Sequence, residues 1–283
     1  MDNSYLALLI FIISTLLYYL FLKPKLLTSV FDDASGKEFS QYSVKNNYSL
    51  IIYFLLVVVT QFFVNANVII NKCGGSLSQN FGASALMTFI PWFFIFGILM
   101  VILMIFPGFK SAFSNVIGYF AVAGSANKIL TELLINTNID NAINDATDAD
   151  QDKKKTLENA AEAVIKLCGN MSIMINQIVP ANFIEYWSIL TPLMKPQYQS
   201  SGAPDLKQQL LDIVVMRDNI GEALWYVYTA VLLISITQYN ITMRGCSTDL
   251  ATLQANHNQV VADQAQVDAQ QQKVTSNVYS ISS

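Results

Sequence analysis

The side chains able to do chemistry are few and widely separated. Cysteines stand at Cys73, Cys168 and Cys246, and the one histidine is His257. None of them falls in a CxxC or a Cys/His spacing, so a structural zinc site is not expected. The run DATDADQD, residues 145–152, has the composition of a calcium loop. It lacks the central glycine and the closing glutamate of an EF-hand loop, and reads as a solvated loop. No GxSxG elbow, phosphate-binding lysine loop, HExxH helix or GxGxxG turn occurs. The expectation is a chain without catalytic residues, metal or cofactor.

His257 has another use. Leu253, Val260, Val267 and Val274 are spaced by seven, and His257 lies on the neighbouring row with Gln264 and Gln271. That spacing belongs to a helix that packs on another helix, where polar stripe residues fix register at a cost in stability. His257 is a candidate packing residue. Cys168 falls on the apolar face of a helical pattern over 157–178 and reads as core.

The elements that carry these residues are set by composition. The chain has 283 residues, 53% hydrophobic and 13% charged, where a soluble domain carries about 25% charge. The apolar residues come in blocks. A helix needs about 20 apolar residues to cross a hydrocarbon core. Blocks over 5–22, 48–70, 83–106 and 223–243 meet that length. The first reads as a retained anchor and not a signal peptide, because Asp2 replaces a basic residue and Tyr18, Tyr19, Lys23 and Pro24 follow it. Pro91 lies inside the third block, so a kink is expected there. Residues 109–126 are apolar but rich in Ser, Gly and Asn, and read as interfacial or spanning, with the interfacial placement preferred.

The expected fold is all-α: a polytopic helical membrane protein with a helical extramembrane domain and a C-terminal helical tail. Residues 1–126 form the N-terminal transmembrane region, 127–222 the extramembrane domain, 223–243 the last span and 244–283 the polar tail. The net charge is −4, with guanidinium only at Arg217 and Arg244. That excludes the basic footprint of a nucleic-acid binder.

Lysines orient the spans. Four stand between the first two blocks (Lys23, Lys25, Lys37, Lys45) and one, Lys72, between the second and third. The first loop is therefore cytosolic. If 109–126 does not cross, Cys73 and Cys246 share the other side, and a disulfide between them becomes feasible. If it crosses, they are on opposite sides; two free thiols are the competing reading.

The stretch EALWYVYTAVLLISITQYNITMRGC, residues 222–246, carries an aromatic pair at Trp225 and Tyr226, then Thr229, Ser235, Tyr239, Asn240 and Cys246. In this it resembles the C-terminal span of multi-span minor capsid and inner-membrane virion proteins of large icosahedral nucleocytoplasmic DNA viruses. The likeness covers under a tenth of the chain with specificity. It implies a virion structural protein in the internal membrane, touching lipid and capsid or other membrane proteins, and no enzyme. A homo-oligomer is open. The rival expectations are an ion channel or transporter using Asn115 in a pore helix, and a membrane subunit of an organellar complex.

Overall fold

The computed structural model describes residues 3–33, 35–134, 171–246, 254 and 257–268, and the structure is all-α there. The acidic loop, most of the 157–178 pattern with Cys168, and Leu253 and Val274 lie outside the described residues.

Helix α1 (Asn3–Leu17) continues through a π turn, Tyr18–Leu22. It stops at Lys23, which is extended because Pro24 follows. Helix α2 (Lys37–Cys73) starts under an Asp33 cap: that carboxylate accepts from the Ser35 and Glu38 amides at 2.9 and 3.1 Å. At its other end the Gly74 amide donates to the Ile70 carbonyl, with the left-handed backbone that glycine permits, φ +73°. A capping box between Ser76 and Gln79 then opens α3 (Leu77–Pro91). Past Pro91 the helix is not broken. A π turn, Trp92–Phe96, follows the proline directly, and α4 (Gly97–Ile105) continues the run.

After Pro107 come α5 (Ser111–Phe113), a π turn Ser114–Gly118 and α6 (Tyr119–Leu133). Among the described residues three short helices come next: α7 (Met171–Gln177), α8 (Phe183–Leu190) and α9 (Pro196–Ser201). Helix α10 (Pro204–Met243) has 40 residues, about 60 Å at 1.5 Å per residue. Residues 257–268 form a further helix, α11, exposed along its length.

Four helical runs among the described residues are long and apolar enough to cross a membrane: Ser4–Leu22, Lys37–Cys73, Leu77–Ile105 and Pro204–Met243. Residues 109–126 are not among them. They pack on the first half of α10, and α6 runs unbroken through residue 126, where the sequence suggests a domain boundary.

Two apolar cores result. One, inside the crossing bundle, holds Phe11, Tyr53, Trp92, Phe96, Tyr226 and Leu233. The other holds Val122, Leu130, Ile175, Phe183, Leu210 and Val214. Helix α10 runs through both, contributing Leu206 to Val214 to one and Tyr226 to Ile234 to the other. Its short polar waist, residues 217–222, lies between them.

Candidate functional site

At the waist, polar groups from three elements meet on α10. Glu222 is buried, and its carboxylate takes Lys23 from the end of α1 at 3.1 Å and Lys110 from beyond α4 at 2.6 Å. The Tyr19 hydroxyl donates to the same carboxylate at 3.1 Å. Lys110 also meets Asp218 at 3.2 Å. Burial disfavours the charged Lys110 ammonium, but Glu222 and Asp218 outweigh it, and its pKa is held above the ordinary 10.5. Each of these four ionised groups faces an opposite charge at close range. The arrangement suits holding three segments together.

One turn along, the fully buried Arg217 guanidinium donates to the carbonyls of Ile175 and Ile178, the latter at 2.9 Å. These are the last carbonyls around the end of α7, which lack helical partners. Arg217 thus fastens the second core to α10. Backbones come close here. A Cβ on Gly118 would lie 2.6 Å from the Arg217 carbonyl, and one on Gly221 would lie 2.8 Å from the Ser114 amide nitrogen. The Trp225 indole donates to the Phe109 carbonyl at 2.8 Å.

The opposite end of the bundle has its own fastening. Cys73 and Cys246 are disulfide-bonded, their Cα atoms 5.3 Å apart. Lys72 beside them donates to the carbonyls of Ile241, Thr242 and Arg244 at 2.8, 2.6 and 2.7 Å. It satisfies the open C-terminal carbonyls of α10 and places a cation at the negative helix end. Between the ends, polar side chains tie the crossing helices pairwise: Gln61 to the Ala7 carbonyl at 3.0 Å, Asn65 to Thr88 at 3.0 Å, and Gln238 to Asn65 at 3.2 Å.

The structure therefore brings Cys73 and Cys246 together. It does not bring the stripe into the same place. His257, Val260 and Val267 lie exposed on α11. Asn115 stands in the π turn before α6, outside the crossing runs, where its carbonyl accepts from Asn176 at 3.2 Å.

The waist cluster escapes sequence reasoning because Lys23 and Glu222 are 199 residues apart. A lysine next to one apolar block and a glutamate next to another were the available signal, but nothing in spacing pairs them. No protein family, curated protein or solved structure matches the chain.

Proposed function

We propose that this helical membrane protein is a structural component of a virion, anchoring a capsid layer to an internal lipid membrane through helix-mediated contacts. The observation that carries the reading is the continuity of α10 through both cores, fastened at its waist and at its C-terminal end. A helix fixed at one end by a disulfide and at its waist by three ion pairs, two of them to the buried Glu222, transmits load instead of moving. Of the residues that carry the resemblance, Trp225 donates to the Phe109 carbonyl, Tyr226 and Thr229 are buried and Cys246 is in the disulfide, while Ser235, Tyr239 and Asn240 are exposed. In this reading the second core faces the shell and α11 meets a partner on the far side.

The test is fractionation of purified particles containing the protein. Nonionic detergent should strip the lipid and leave the chain sedimenting with the shell. Quantitative release with the lipid would overturn the anchoring role.

A further inference from the structure

A polar cavity of about 450 Å³ opens between the loop after α1 and the start of α2. It is lined by Lys25, Glu38, Gln41, Tyr42 and Lys45, with Pro24 and Val30 as its apolar side. The waist cluster does not use it.

Its position gives its meaning. Gln41, Lys45, Tyr48, Ile52, Leu55 and Val59 follow steps of four and three along α2, so they share one face. Below the cavity that face is apolar and outward: Tyr48 is 65% exposed, Ile52 52% and Leu55 54%. In a bilayer this is a track for acyl chains. Lys45 is three residues above Tyr48, about 4.5 Å along the axis. The headgroup zone outside each face of the hydrocarbon core is roughly 5–7 Å deep. A lipid whose chains lie on the track therefore brings its headgroup to the cavity.

The lining is of mixed sign. Lys45 forms no ion pair among the described residues, and Lys25 is an exposed partner of Asp212 at 3.1 Å. Both ammonium groups suit a phosphate. Glu38, which lines the same cavity with Gln41 and Tyr42, would repel a purely anionic headgroup and would accept from a headgroup ammonium. The geometry points to a site for a zwitterionic phospholipid of the phosphatidylethanolamine class, drawn from the leaflet at the waist end. The inference rests on the bilayer crossing alone and is independent of a virion role.

The experiment uses the full chain in nanodiscs of phosphatidylethanolamine mixed with phosphatidylglycerol, released into mild detergent for native mass spectrometry. Wild type should retain phosphatidylethanolamine in preference to phosphatidylglycerol. Lys45→Glu should reduce the retained fraction by about tenfold, the loss expected when one charge-assisted contact is reversed. Glu38→Gln should keep lipid but erase the preference. Both side chains are exposed, and an unchanged melting midpoint shows that the variants fold. Millimolar O-phosphoethanolamine should not displace the lipid. Equal retention by Lys45→Glu, or no headgroup preference in wild type, overturns the site. Displacement by the soluble ester overturns the lipid as its ligand.

Discussion

The Lys110 ammonium lies 2.6 Å from the Glu222 carboxylate, which also meets the Lys23 ammonium at 3.1 Å. One buried carboxylate thus joins the end of α1, the segment after α4 and the waist of α10. Removing its charge leaves the half-buried Lys23 ammonium without its partner and Lys110 with Asp218 alone, and breaking a buried pair from one side costs about 3–5 kcal/mol. Glu222→Gln should therefore lower the melting midpoint in detergent strongly. Asp212→Asn breaks an exposed pair with Lys25 and should cost about 0–1 kcal/mol. Equal effects would show that the cluster holds nothing.

The same lysine gives a pH dependence. Its folded pKa is raised, so its contribution is complete below the ordinary 10.5 and is lost as pH climbs through the folded value. The stability difference between wild type and Lys110→Met should be constant from neutrality to about pH 9.5 and shrink above 10.5. A gap that grows with alkalinity would have the wrong sign.

Gly221 and Gly124 make a matched pair of substitutions. A Cβ on Gly221 meets Ser114 and the Lys110 carbonyl inside 3 Å, whereas one on Gly124 meets nothing within 4 Å. Gly221→Ala should destabilise by about 1–3 kcal/mol, the usual cost of overpacking. Gly124→Ala should be neutral or stabilise by up to about 1 kcal/mol through helix propensity. Chemical unfolding of both variants in one detergent reads the contrast.

Reduction should act through one bond. The disulfide closes a separation of 173 residues, and losing such a link typically costs about 2–5 kcal/mol. The crossing helices already restrain the chain, which places the effect at the low end. A reductant should lower the melting midpoint of wild type and leave Cys73→Ser/Cys246→Ser unmoved. Adding Lys72→Ala to the double variant should destabilise it further, because the α10 carbonyls then lose their remaining cap.

The crossing helices were legible in the sequence because a bilayer imposes length and apolarity on each one separately. Pro91 announced a local disturbance, and the π turn Trp92–Phe96 follows it directly, with Trp92 and Phe96 in the bundle core. Cys73 and Cys246 could be set side by side only by a topology argument resting on residues 109–126. The waist was not legible. Lys23, Lys110, Asp218 and Glu222 each look like an ordinary charge flanking an apolar block, and Gly118 and Gly221 like two of twelve glycines. Only the crossing of α10 over the 107–118 segment gives these residues a shared role. The stripe at His257, Val260 and Val267 keeps its helical spacing on α11, where all three lie exposed among the described residues.

The central claim is that the bundle crosses a bilayer with the disulfide on one side and the second core on the other. Single cysteines at Ser78, Ser188 and Gln264 in a Cys168→Ser background, labelled with an impermeant maleimide in sealed oriented vesicles, test it most directly; all three positions are exposed. The account predicts that Ser78→Cys and Gln264→Cys label from the same side and Ser188→Cys from the other. Labelling of Ser188→Cys together with Ser78→Cys would contradict it.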